Sequence, residues 1–218
     1  MKRLRREKSG SQSKKLTRDP AAWLIVCLLS FGVITELGVA SWLVNYLVRV
    51  HSWEIEEGSR MLSLFFLFFM LARLLLGPAI DKIGYTKSII VLSLLAGGTS
   101  LLGIVFGEQG AILFAIAGIG VGPIYPTVMA LLAKRYKRGT GTAITFTVSL
   151  MGVASVLGNL FTGWIIEFVS EVSYPIVAES HILGLHAGYG FLALSALLCA
   201  ICGIALYLFL KKKNEVIH

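Results

Sequence analysis

One carboxylate, Glu36, lies deep inside a long apolar run, "LLSFGVITELGVASWLVNYL". An acid in such surroundings is expensive to desolvate and marks a functional site: it can carry a proton or hydrogen-bond a solute hydroxyl. A Glu held by a polar group on another helix would leave the same trace. Trp42, Asn45 and Tyr46 follow one to three turns later. An aromatic face with an amide suits a sugar ring, and Trp and Tyr near a span end also serve as interfacial anchors. On a straight helix Asn45 lies roughly opposite Glu36. The two can share a cavity only if Gly38 bends or unwinds the run.

A second polar pattern, "LARLLLGPAIDKIGYTK", sets Arg73, Gly77, Asp81, Lys82, Gly84 and Lys87 at the end of an apolar stretch. At helical spacing Arg73, Gly77 and Asp81 share a face. Gly77 would then let another helix approach, Asp81 could accept from a facing helix start or pair with a cation, and Gly84 permits a sharp reversal. The same charges could merely mark the membrane boundary.

Further along, Thr145, Ser149, Gly152, Asn159 and Gly163 fall within about 80° of one another on a helix, a stripe that serves close packing or lines a wetted wall. Asn159 is its strongest candidate for solute contact, with Ser149 beside it. In "AGIGVGPIYPTVMA", Pro123 and Pro126 lack N–H groups, which frees the carbonyls of Ile119 and Gly122. Such carbonyls near Tyr125 could bind a polar solute or permit a gating bend. Gly38, Gly122, Pro123 and Pro126 are therefore the expected helix breaks. Nothing resembles a nucleophile–base pair, a phosphate-cradling loop or metal-ligand spacing, so no enzyme, cofactor or metal site is expected. His51, His181 and His186 sit in or beside the outer loops and read as solvated rather than as ligands, and Cys27, Cys199 and Cys202 read as buried small hydrophobes.

The elements that must position these groups follow from composition. Of 218 residues, 56% are hydrophobic and 15% charged, and the mean hydropathy is +0.79. Soluble domains carry charge on nearly a quarter of their residues, so the chain reads as an integral membrane protein. A span needs about 20 mostly apolar residues. Six runs qualify: 21–48, 61–80, 88–106, 111–133, 142–168 and 187–210. The first is too long for a signal-peptide core.

Basic residues set the orientation. Eight of the twenty Lys and Arg precede residue 19, and further ones sit at Lys82, Lys87, Lys134, Arg135, Lys137, Arg138 and Lys211 to Lys213. The alternate connections hold only Arg49 and Arg60, with several Glu. The positive-inside rule then places both termini in the cytoplasm of a multi-pass cell-membrane protein. Beside a span the basic head reads as a topology signal, and no nucleic-acid partner is expected. Residues 1–20 form a basic tail, 21–210 the bundle and 211–218 a second tail, with a short surface helix possible over 170–186. Six spans divide into three plus three of opposite orientation, the inverted-repeat plan of secondary transporters.

"GPAIDKIGYTK" resembles the loop signature between the second and third helices of major facilitator superfamily transporters. "ELGVASWLVNYL" and "GPIYPTVMALL" are similar to the C-terminal half of their fucose–proton symporter-like sugar branch. From about Asp19 onward the chain fits that half, and the basic head resembles the central cytoplasmic loop. The resemblance implies an all-α polytopic fold of twelve spans in two bundles, of which six are present here. It also implies a Glu at the place of Glu36, with the protonating carboxylates in the other half. The expected activity is transmembrane transport of a small polar solute, a sugar, by alternating access. The expected partners are the lipid bilayer, the solute, and a separate N-terminal six-helix half or a second copy. The competing expectation is a membrane subunit or truncated transporter fragment that moves nothing.

Overall fold

The protein, seen in a computed structural model, is described over residues 16–174, 179–213 and 215. The basic head before residue 16 and the link 175–178 lie outside the described residues. Among those described, the regular structure is helical: α1 Pro20–His51, α2 Ile55–Leu75, α3 Gly77–Ile83, α4 Tyr85–Phe106, a 3-10 turn Gly107–Gly110, α5 Ala111–Val121, α6 Ile124–Arg135, α7 Thr140–Ser173 and α8 Ser180–Lys212.

Local chemistry sets the ends. Asp19 caps α1 by accepting from the Ala21 N–H at 3.0 Å, and Pro20 opens the first turn, where its missing N–H costs nothing. A capping box between Glu54 and Glu57 starts α2. Gly84 separates α3 from α4 at φ 96°, a conformation that a side chain resists. The break between α5 and α6 falls at Gly122–Pro123, as the missing proline N–H groups dictate.

Five segments are long and apolar enough to cross a bilayer: α1, α2, α7, α8 and the 51-residue stretch Tyr85–Arg135. That stretch folds back on itself at Gly107–Gly110. Gly103 of α4 lies against Phe114 of α5, and Gly120 lies against the backbone of Leu92 and Ala96. The charged connections collect at two ends. At one, Asp19 meets Arg135 and Tyr136, and Lys134 lies over the Tyr85 ring. At the other, Trp53 donates to Glu108 at 3.2 Å.

Helix α8 packs against α1, α4 and α7, while α2 packs on α5. Two apolar cores form. One, near the basic end, gathers Ile25, Leu29, Ile89, Leu131 and Leu206; the other gathers Tyr46, Phe65, Phe114, Tyr189 and Leu192. Helices approach closely through small residues, because lipid tails offer them no hydrophobic drive to associate. A Cβ on Gly118 would collide with the Phe65 carbonyl, and one on Gly122 with that of Phe69. The expected close approach at Gly77 does not occur: a Cβ there meets open space, and α2 is instead approached closely at Gly118 and Gly122. Of the five segments α1 is the most buried and α7 the least, leaving Val153, Val156, Leu157 and Leu160 outward.

Three smaller expectations change. Cys199 is buried, but Cys27 is exposed on the apolar outside, where a small thiol suits lipid as well as a core. Residues 170–173 continue α7 and 180–186 begin α8, so no separate surface helix spans 170–186 among the described residues. His51, the last residue of α1, and His186 in α8 are not fully solvated: both are half-buried, and their rings flank Tyr46 with centroids 5.6 and 5.5 Å away.

Candidate functional site

The sequence candidates that meet are Trp42 and Asn159, from α1 and α7. Gly158 sits under Ile34, and Gly163 sits beside the Trp42 ring with room for no more than a Cβ at 3.5 Å. This brings the two backbones close. The Trp42 indole N–H donates to Asn159 Oδ1 at 3.1 Å, and Asn159 Nδ2 donates to Ser41 Oγ at 3.3 Å. The order is forced: an indole N–H only donates, so it fixes the amide oxygen towards itself and turns the amide nitrogen to Ser41.

Trp42 and Asn159 line an open cleft of about 420 Å³, with Leu37, Ser155, Val156, Leu160 and Gly163, and Ser41 stands behind Asn159 as its hydrogen-bond partner. Asn159 keeps one N–H and one lone pair, and Ser41, having accepted, keeps its proton to donate. The Trp42 ring supplies a flat apolar surface. No residue of the lining carries a charge. The arrangement suits a neutral, hydroxyl-rich molecule. Ser41 was missed in the sequence, where a serine in a span carries no signal until its partner is known.

The other candidates lie elsewhere. α1 runs unbroken through Gly38, whose Cβ would collide with the Leu192 side chain. Gly38 is therefore a packing position, not a break. Glu36 and Asn45 consequently remain on opposite faces of one straight helix. Ser149 is exposed on α7, more than two turns from Asn159, and Tyr125 packs against the core at the basic end. Neither Glu36 nor Asn45 nor Tyr125 nor Ser149 lines the cleft.

A second polar locus lies at the α5–α6 break. The carbonyl of Gly122, unserved because Pro126 has no N–H, accepts from Arg73 Nε at 2.9 Å. The Arg73 guanidinium also lies 4.5 Å from the centre of the Phe69 ring.

At the basic end, Asp19 accepts from Tyr136 Oη at 2.7 Å and from Arg135 at 3.3 Å, and Arg135 also reaches Glu215 at 2.9 Å. Burial pushes the Asp19 carboxyl up, but the Tyr136 hydroxyl, the Ala21 N–H and the Arg135 charge together outweigh it and hold Asp19 below its ordinary value. Burial, aided by the bond to Asp19, pushes the Tyr136 phenol up to about 12. In the loop motif Asp81 accepts from Tyr85 Oη at 2.7 Å, one turn away, rather than from a facing helix start. Lys87 lies 5.8 Å from the centre of the Tyr207 ring, and Lys82 closes α3. Among the described residues no group of three or more His, Cys, Asp or Glu could hold a metal ion.

The family model described as Major Facilitator Superfamily matches residues 22–217. No curated protein and no solved structure matches the chain.

Proposed function

The chain belongs to the Major Facilitator Superfamily, a family of transporters, and from that premise we propose that it moves a sugar-like polar solute across the cell membrane. The observation that carries the solute class is the uncharged cleft lined by Trp42 and Asn159, an aromatic face beside an amide with unspent hydrogen-bonding capacity, which Ser41 holds in place. In this reading the chain makes six crossings, as a three-plus-three inverted repeat with both termini cytoplasmic. A single helix of 51 residues would run about 76 Å, more than twice a hydrocarbon core of about 30 Å. The fold-back at Gly107–Gly110 supports counting Tyr85–Arg135 as two crossings.

Transport proceeds by alternating access, the bundle rocking against a second six-helix bundle around the midplane. That bundle is an N-terminal half on a separate chain or a second copy of this one. Trp42 and Asn159 contact the solute, and Glu36 acts at the gate.

The test is uptake of labelled hexoses and pentoses by cells expressing the chain, alone and with an N-terminal six-helix half. Asn159→Ala should lower uptake at limiting solute by about tenfold or more, the cost of stranding hydrogen-bond partners in a partly dry site. Absence of uptake in every combination, with membrane insertion confirmed, would leave a subunit that moves nothing.

A further inference from the structure

Helix α5 ends and α6 begins where Pro126 deprives the Gly122 carbonyl of its intrahelical donor. A bare carbonyl at such depth must find a partner or water. Arg73 Nε supplies one from α2, 2.9 Å away. The bond is not incidental to the packing: α2 and the break are pressed backbone to backbone, since a Cβ on Gly122 would collide with the Phe69 carbonyl. The same Phe69 ring lies under the guanidinium. Nε uses one of five guanidinium N–H donors and leaves both Nη groups outside that bond.

The face of α1 that meets the break is known from Gly32, whose Cβ would sit 3.0 Å from Ile124, the first residue of α6. Glu36 lies one turn further along that face, and it forms no ion pair with Arg73 in this arrangement. Two acceptors that differ in kind therefore face the break. One is the Gly122 carbonyl, part of the broken helix; the other is a carboxylate on α1.

We infer that Arg73 is a positioning residue that clamps the α5–α6 break through the Gly122 carbonyl, and that Glu36 is the competing acceptor to which it is released. Clamped, the break is tied to α2 and α6 is held in its present direction. Released, the carbonyl is bare and the break is free to flex. A structural arginine of the ordinary kind would have no dependence on Pro126; this one exists because that proline is there.

The test needs no solute, so its outcome stands apart from any uptake measurement. Amide hydrogen exchange is followed by mass spectrometry on the full chain in lipid nanodiscs, with peptides covering residues 118–128 as the readout and peptides from α8 as the internal reference. Arg73→Gln should speed exchange over 118–128 by about tenfold, the scale of one charge-assisted hydrogen bond. Adding Pro126→Ala, which restores an N–H to Gly122, should return exchange to within about twofold of the parent. Glu36→Gln removes the competitor and should slow exchange over the same peptides by about threefold, a modest electrostatic bias. Unchanged exchange in Arg73→Gln overturns the clamp, as does failure of Pro126→Ala to rescue it. Unchanged or faster exchange in Glu36→Gln overturns the competition. Should Arg73→Gln loosen α8 as well, the Pro126→Ala background decides, because there the Arg73 substitution must be silent at 118–128.

Discussion

Asp19 does two jobs with one carboxylate. Its Oδ1 caps α1, and its Oδ2 receives Tyr136 and Arg135 from the far end of α6. The cap is worth about 1 kcal/mol by the usual scale of Asp at this position. Asp19→Asn keeps a competent cap but loses the charge facing Arg135. Because the folded carboxyl is held below its ordinary value of 3.8, its contribution to stability is fully present above that value and disappears as pH falls through the depressed one. Thermal unfolding in detergent should therefore show parent and Asn variant apart at neutral pH and converging in strong acid. A gap independent of pH would assign the effect to the cap alone. At this scale the sequence was uneven. Trp42 and Asn159 stood out by type, yet they are 117 residues apart in the chain, and nothing in either segment announces the other. Arg135 looked like a topology charge, and only the arrival of Asp19 and Glu215 makes it a junction of three segments.

At the scale of elements, α5 is closely confined by its neighbours' backbones. Gly118 and Gly120 abut carbonyl oxygens of α2 and α4, so a methyl group at either has nowhere to go. Gly120→Ala should cost about 1–3 kcal/mol, the range for overpacking. Gly98→Ala, where a Cβ meets open space, should be neutral or stabilising by about 0.5–1 kcal/mol from the gain in helix preference. Unfolding of both variants in the same detergent gives the comparison, and equal effects would refute the packing argument. Two helix ends were legible because glycine and proline act locally: Gly84 and Gly122–Pro123 punctuate the chain where their chemistry requires. Gly38 and Gly77 were not legible. A glycine in a span permits a bend or a contact equally, and the choice belongs to whatever lies opposite, Leu192 for the first and nothing for the second.

For the whole molecule, the charge distribution predicts an orientation that can be measured. Cysteine introduced at Glu108 should react with a membrane-impermeant maleimide on intact cells, and cysteine at Arg138 only after permeabilisation, if the basic end faces the cytoplasm. The reverse pattern would invert the assignment. The native Cys27, Cys199 and Cys202 lie within the spans, so replacing each by Ala supplies the blank. What the sequence determined by itself was the solvent of each segment: long apolar runs belong in lipid, basic connections gather at one end, and prolines break helices, because all three depend on nearest neighbours and on composition. What only the tertiary structure decided was pairing. It brought Trp42 and Asn159 together in one uncharged cleft, gave the bare Gly122 carbonyl to Arg73, and left Asn45, Tyr125 and Ser149 out of the cleft. In lipid, helices meet through shape and a few hydrogen bonds rather than through burial of apolar surface. Those contacts join residues remote in the chain, and no local pattern of residue types records them.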